Sequence, residues 1–351
     1  MTGANPFLGQ TLGGRFQLRD YISAGAFSVV FEAVDVATGK QVALKLLSPA
    51  KAADLDAVAE FEVEGQLLQK LRSCKNVIDY IGTWTSPLQV QLGGLPLAFA
   101  ARYHVLELAD GSLAELLPDR DSVRWVTKLQ LFRDALKGTH QMHRHRTMHR
   151  DIKCDNALLV LARRKGHIVK LGDLGRSRAL DMPPRLAPAG YVRGRGDLRF
   201  APPEYLWGLG ADGEDGLRRA DLYLLGSLLY ELGTGQGFTT VAFPDEWIVA
   251  RAYRGPSPRE GFNQRLPELR AHLAPAVDLF ARQVPQAVRQ PAVSLVTQLC
   301  DPDPTARELR VRSELRQPTV GLDWLFRRVD VLIRLVRRDA RIAAASRGSA
   351  T

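Results

Sequence analysis

Apolar and polar positions alternate in three short runs near the start of the chain: Phe16-Gln17-Leu18, Val29-Val30-Phe31-Glu32-Ala33 and Gln41-Val42-Ala43-Leu44-Lys45. A period of about two marks strands with one buried face. Ile22-Ser23-Ala24-Gly25-Ala26-Phe27-Ser28 joins the first pair, and Thr38-Gly39-Lys40 joins the second. Small residues in the first connection let backbone N–H groups approach a phosphate, although a plain hairpin has the same composition. Over residues 53–72 the spacing lengthens to that of a helix, with Leu55, Val58, Phe61, Leu67, Leu68 and Leu71 on one apolar face. Glu64 lies on this helix, and Gly65 follows it. A glycine there costs up to about 1 kcal/mol relative to alanine and is expected to ease movement of the helix. Two more strands are predicted at roughly 77–84 and 97–108, separated by a long connection containing Gly93-Gly94-Leu95-Pro96.

Residues 124–146 return to helical spacing, with Trp125, Leu129, Phe132, Leu136 and Met142 facing inward. Four of the seven histidines follow one another closely here, at His140, His143, His145 and His149. Their spacings put no pair on one helix face backed by carboxylates, so a histidine metal site is not expected. Asp221-Leu222-Tyr223-Leu224-Leu225-Gly226 opens a strongly apolar helix. In residues 318–345, Leu322, Leu325, Val329, Leu332 and Val336 form a stripe, with Arg327, Arg334, Arg338 and Arg341 largely off it. Residues 1–14 are Gly-rich and carry no apolar period, so they read as a flexible lead.

At 351 residues with 45% hydrophobic and 25% charged content, the chain can bury the cores of two lobes or two small domains. The three cysteines are scattered and fit a reducing compartment, neither a disulfide framework nor a zinc site. The start of the chain has no charged segment followed by an apolar run, and no stretch is long enough for a membrane span. A soluble cytoplasmic protein is therefore the expectation. The net charge of +10 is concentrated late: residues 307–347 hold eleven Arg against five acidic residues. A solvated basic face accounts for it, and a nucleic-acid partner is not expected.

The chemistry gathers at His149-Arg150-Asp151-Ile152-Lys153-Cys154-Asp155-Asn156, followed by Asp173-Leu174-Gly175. These runs supply a carboxylate to take a hydroxyl proton, a cation for a phosphoryl group and two oxygen ligands for Mg²⁺, the parts a phosphoryl-transfer site needs. The ordered pattern resembles the catalytic core of eukaryotic-type (Hanks-type) Ser/Thr protein kinases. That resemblance implies an α+β, bilobal fold with a small antiparallel-sheet N-lobe and a larger helical C-lobe. The kinase domain would span residues 15–310, with its N-lobe at about 15–108 and its C-lobe at about 109–310. A lead at 1–14 would precede it, and a basic amphipathic helix and tail at 311–351 would follow.

By the same resemblance the chain transfers the γ-phosphoryl group of ATP to protein hydroxyls, its own included, with Mg²⁺ as cofactor. Asp151 would be the base, Lys153 would neutralise the γ-phosphoryl, and Asn156 and Asp173 would hold the metal. Val42-Ala43-Leu44-Lys45 matches the strand whose lysine meets the α- and β-phosphates, with Glu64 as that lysine's partner. Ile22, Gly25, Val30, Ala43, Leu158 and the hinge from Glu107 to Ala109 would form the nucleotide pocket, with Leu106 gating its back. Ser23 and Ser28 stand where the family's Gly-rich loop has glycines. Asp197 stands where a threonine usually bridges Asp151 and Lys153, and it could pair with Lys153. From Asp173 to Glu204, the only hydroxyl side chains are Ser177 and Tyr191, which leaves Arg150 no obvious phosphate to grip.

Asp221 would support the catalytic-loop backbone, and Arg307 would pair with Glu204. The alternative reading is a pseudokinase scaffold acting through the basic C-terminal helix. Residues 318–345 would pack on the C-lobe or dock a partner protein or an anionic membrane surface.

Overall fold

The alternating runs near the start of the chain build one sheet. In the computed structural model, which describes residues 5–25, 27–92, 95–162, 166–183, 197–210, 213–308 and 321–348, six strands pair antiparallel. They are β1 (Thr11–Leu12), β2 (Phe16–Ala24), β3 (Ser28–Asp35), β4 (Lys40–Leu47), β5 (Tyr80–Leu92) and β6 (Leu95–Glu107), in the order β1-β2-β3-β4-β6-β5. The inward residues Phe16, Leu18, Phe31, Leu44 and Val105 are almost fully buried in a core of this sheet alone.

Two expectations are corrected here. Residues 5–14 are not a flexible lead: β1 pairs with β2, and Phe7 and Leu12 are buried in the sheet's core. Their apolar residues are too few to show a period, and only the sheet supplies their partners. The long loop expected between the fourth and fifth predicted strands is instead an extended hairpin, with β5 and β6 paired from Tyr80–Leu106 to Leu92–Leu95. Ser86, Leu88 and Val90 are buried while Thr85, Pro87 and Gln89 are exposed, the strand alternation that the glycines and prolines obscured.

Helix α1 (Leu55–Lys70) starts at Asp54, whose carboxylate accepts the Ala57 N–H at 3.1 Å. Its buried face consists of Ala57, Phe61, Glu64, Gly65, Leu67 and Leu68. Leu55, expected on that face, is in the first turn and 84% exposed.

The second lobe begins at β7 (Gly111–Ser112) and α2 (Trp125–Arg144), followed by β8 (Thr147–Met148), β9 (Ala157–Ala162), β10 (Gly166–Leu171) and β11 (Arg178–Ala179). The helices α3 (Pro203–Leu206), α4 (Gly213–Thr234), α5 (Phe238–Ala242), α6 (Glu246–Ala252), α7 (Pro258–Ala271), α8 (Leu273–Gln283), α9 (Arg289–Leu299) and α10 (Asp323–Gly348) complete it. Every residue of α4 from Ala220 to Thr234 is buried, as befits a helix packed on all sides. The result is a two-lobed α+β architecture.

Arg307 is fully buried and grips Glu204 through two bonds of 2.7 Å, closing the end of the α3 segment against α4. Leu322, just before α10, and Leu325, Val329 and Leu332 on it are buried, and Arg133 of α2 forks onto Asp330 at 2.6 and 3.2 Å. The apolar stripe is thus core structure, while Arg327, Arg334, Arg338 and Arg341 face solvent. Among the described residues no helix is long and apolar enough to cross a membrane.

Candidate active site

The catalytic-loop segment hangs from one buried carboxylate. Asp221 of α4 accepts the backbone N–H groups of His149 at 2.9 Å and Arg150 at 2.7 Å, and its Oδ2 lies 2.8 Å from His143 Nε2. Burial opposes the Asp221 charge, but the bond from His143 and the backbone donors outweigh it and hold the carboxyl below its ordinary range. The loop needs such an anchor because Arg150 has a φ of 66°. Arg146, Arg150 and Asp173 are non-glycine residues with positive φ, and Arg150 and Asp173 belong to the two acidic segments of this site. A strained residue of this kind costs about 1–3 kcal/mol and persists only where its surroundings enforce it.

His149 joins the two acidic segments. Its Nδ1 accepts the Asp151 N–H at 3.3 Å, so the proton is on Nε2, which donates to the Gly172 carbonyl at 3.1 Å. Asn156 Nδ2 donates to both the carbonyl and Oδ2 of Asp151, at 2.8 and 3.0 Å. This aims the Asp151 carboxylate and commits the nitrogen end of the amide, so the oxygen end is what Asn156 can offer a cation. Lys153 Nζ lies 3.4 Å from Asp197 Oδ2, and Arg176 Nε lies 4.0 Å from Asp151 Oδ2.

The second cluster crosses from one lobe to the other. Lys45 Nζ bonds Glu64 Oε1 at 2.7 Å and Asp173 Oδ1 at 2.9 Å. The Leu174 N–H also reaches Glu64 Oε1, at 3.2 Å, tying the Asp173 turn to α1. Burial works against the Lys45 charge, yet Asp173 and Glu64 prevail and raise its pKa. Lys45 in turn draws the Asp173 carboxyl down to about 2. Asp173 is 53% exposed and ionised, and with the amide oxygen of Asn156 it forms a hard oxygen donor set that suits Mg²⁺.

Two of the residues expected in the nucleotide pocket lie on the sheet face that carries Lys45. Val30 lies opposite Lys45 in the β3–β4 pairing, and Ala43 lies opposite Leu106 in the β4–β6 pairing, so these pairs share one face of the sheet. Leu158 pairs with Ser112 and packs over Gly172, where an added Cβ would lie 2.7 Å from Leu158 Cδ1. Ile22 and Gly25 are exposed, with the Gly25 N–H bonded to Ser28 O at 2.8 Å. Ala109 is half-buried. The Glu107 carboxylate takes Lys170 at 2.6 Å, and Asp79 holds the same ammonium at 3.1 Å.

Sequence reasoning missed this ion-pair brace on Glu107, as well as Arg176 and Glu231. Glu231 accepts the Cys154 N–H at 2.9 Å, and burial pushes its carboxyl up to about 7. Its only sequence signal is one acidic residue inside the apolar run of α4. The buried Cys154 thiol is pushed well above its ordinary range by burial and by Glu231, which suits a packing residue.

Ser177 is buried and donates to the His149 carbonyl at 3.2 Å, so it serves as a strut of the loop. Tyr191 lies outside the described residues. Arg150 donates to the Arg176 carbonyl at 3.2 Å and stands 5.8 Å from the Tyr205 ring centre. His140, His143 and His149 are divided among a ring contact, a carboxylate and a carbonyl. Among the described residues no three or more histidine, cysteine, aspartate or glutamate side chains gather as a set for one metal ion.

The family model of the protein kinase domain matches residues 16–309. The chain is similar to a probable serine/threonine-protein kinase of Streptomyces coelicolor, 32% identical over 230 residues, which cover 64% of this chain and 30% of that protein. It is also similar to the serine/threonine-protein kinase PknA of Mycobacterium tuberculosis, 28% identical over 235 residues, covering 66% of this chain and 49% of that protein. PknB of Mycolicibacterium smegmatis is 29% identical over 228 residues, covering 65% of this chain and 33% of that protein. The chain thus spans a third to a half of the length of these curated relatives. A kinase-domain crystal structure superposes with a TM-score of 0.57 at 15% identity, over 86% of this chain and 94% of that one, a likeness of fold. With the match covering most of its length, this chain belongs to the protein kinase domain family.

Proposed function

We propose that the chain is a protein serine/threonine kinase using ATP and Mg²⁺. The observation that carries this reading is the joining of two clusters: Lys45, Glu64 and Asp173 on one side, Asp151 and Asn156 on the other, linked by His149 on the Gly172 carbonyl. When bound, Mg-ATP supplies the phosphoryl group and neutralises its charge. Glu64 would orient Lys45 toward the α- and β-phosphates, and Asp173 and the Asn156 oxygen would hold the metal.

Asp151 accepts the proton of a serine or threonine hydroxyl and aligns its oxygen for in-line attack, with Asn156 fixing the carboxylate. Lys153 neutralises charge on the transferred group. Ile22, Val30, Ala43 and Leu158 enclose the base, which the backbone from Glu107 to Ala109 meets. Protein substrates are the partners of this reaction. The domain bounds we adopt are 15–310, with the division between the lobes near residue 108.

The experiment is transfer of labelled γ-phosphoryl from Mg-ATP to the chain itself and to a generic basic protein, followed by identification of the modified residue. Phosphoserine or phosphothreonine is expected. Nucleotide binding without any transfer would favour the scaffold reading, in which the exposed arginines of α10 contact an acidic partner.

A further inference from the structure

His104 of β6 lies directly opposite Lys45 of β4, and Thr83 of β5 lies directly opposite His104, so all three side chains share one face of the sheet. Helix α1 covers that face. The ring of His104 is fully buried and stacks on Phe61 of α1, with centroids 3.8 Å apart and planes 7° from parallel. Its Nε2 lies 3.0 Å from the Phe61 carbonyl oxygen, and its Nδ1 lies 2.5 Å from Thr83 Oγ1.

These partners determine where each proton sits. A carbonyl can only accept, so Nε2 carries hydrogen. Nδ1 of the neutral ring is then an acceptor, and the Thr83 hydroxyl donates to it. Thr83 Oγ1 in turn accepts from the Tyr80 hydroxyl at 2.7 Å. The chain of donors runs from Tyr80 through Thr83 and His104 to the backbone of α1. Burial, aided by the Lys45 charge, lowers the His104 pKa to about 3, so the ring is neutral at physiological pH.

The contact is close because residue 65 is glycine. A Cβ on Gly65 would lie 2.9 Å from His104 Cε1 and 3.0 Å from Thr83 Oγ1. Phe61 precedes Glu64 by three residues, and Glu64 is the side chain that meets Lys45 at 2.7 Å. The helix is therefore fastened twice to neighbouring strands, once by Lys45 on a side chain and once by His104 on the backbone one turn earlier.

We propose that His104, through its bond to the Phe61 carbonyl, is a positioning residue that sets the height of α1 over the sheet and so closes the Glu64–Lys45 pair. The role in catalysis rests on the kinase reading above. The bond itself is testable without it.

Three variants test the proposal: His104→Phe, His104→Gln and Thr83→Val. Phenylalanine keeps a ring against Phe61 but removes both hydrogen bonds. Glutamine can donate to the carbonyl and accept from Thr83. Thr83→Val changes an exposed residue and removes the donor to Nδ1 together with the acceptor of the Tyr80 hydroxyl. It leaves the His104 ring and its bond to the Phe61 carbonyl in place, which covers the case in which His104→Phe fails to fold. Two readouts are needed, phosphoryl transfer with kcat and KM for ATP separated, and amide hydrogen exchange across residues 61–70 of the unliganded protein.

His104→Phe is expected to lower kcat about tenfold and to raise exchange in 61–70 relative to α2, with Thr83→Val intermediate and His104→Gln near wild type. Wild-type values for both readouts in His104→Phe and Thr83→Val would overturn the proposal. So would a His104→Gln variant as impaired as His104→Phe, because restoring the donor to the Phe61 carbonyl would then restore nothing. If the wild-type protein transfers no phosphate, the kinase reading fails and the exchange data alone decide the role of His104.

Discussion

Lys153 Nζ stands 3.4 Å from Asp197 Oδ2, so the catalytic-loop cation is held by a carboxylate from the segment before α3. Arg199 grips the same carboxylate, with its Nε 2.8 Å and its backbone N–H 3.2 Å from Oδ1. Burial opposes the Asp197 charge, but Arg199 and Lys153 keep its carboxyl below the ordinary range. The pair therefore orients Lys153 while Arg199 balances the added negative charge. Asp197→Asn is expected to lower kcat by about tenfold, about 1.4 kcal/mol of transition-state stabilisation, with KM for ATP little changed. Steady-state kinetics check this, and an unchanged kcat would remove Asp197 from the site's function.

Gly65→Ala sets helix propensity against packing. Alanine would favour an isolated helix by about 1 kcal/mol, but its Cβ would meet His104 Cε1 at 2.9 Å. The variant is expected to lose thermal stability and transfer activity together. A more stable and fully active Gly65→Ala protein would show that α1 can shift without consequence.

The difference at Gly65 shows where the sequence was legible and where it was not. Lys45, Glu64, Asp151, Asn156 and Asp173 stand out because their spacing is chemical and local, and the helix carrying Glu64 announces itself by its apolar period. The reason for Gly65 lies on β6, in a histidine about forty residues later that no local pattern connects to it. Likewise, Phe7 and Leu12 have no period of their own, and a sheet formed by later residues decides their burial. The β5–β6 hairpin was hidden for a different reason: glycine and proline near its tip read as loop, while the alternation of Ser86, Leu88 and Val90 ran on beneath them.

Glu231 makes the stability of the fold depend on pH. Burial raises its carboxyl to about 7 from an ordinary 4.5, so the folded chain favours the protonated form more than the unfolded chain does. Its contribution is full below about pH 4.5, declines as pH rises and levels off above about pH 7. The loss is on the order of a few kcal/mol, because each pH unit across that window is worth about 1.4 kcal/mol. Glu231→Gln can still accept the Cys154 N–H and should remove this decline. Urea unfolding of both proteins at pH 5 and pH 8 tests it, and parallel pH dependences would refute it.

Removing residues 318–351 exposes the surface that Leu322, Leu325, Val329, Leu332 and Ile333 cover. A fully buried aliphatic side chain contributes about 1.5–3 kcal/mol, so the shortened chain should melt at a clearly lower temperature and aggregate. Thermal unfolding checks this. An unchanged melting temperature would mean that α10 is an appendage.

The account depends most directly on Asp151. The decisive measurement compares γ-phosphoryl transfer from Mg-ATP by the wild-type chain and by Asp151→Ala, with nucleotide binding measured in parallel. Loss of the base should lower transfer by about a hundredfold to ten-thousandfold, while the untouched Lys45–Glu64–Asp173 cluster retains the nucleotide. Transfer at the same rate by both proteins would contradict the assigned mechanism.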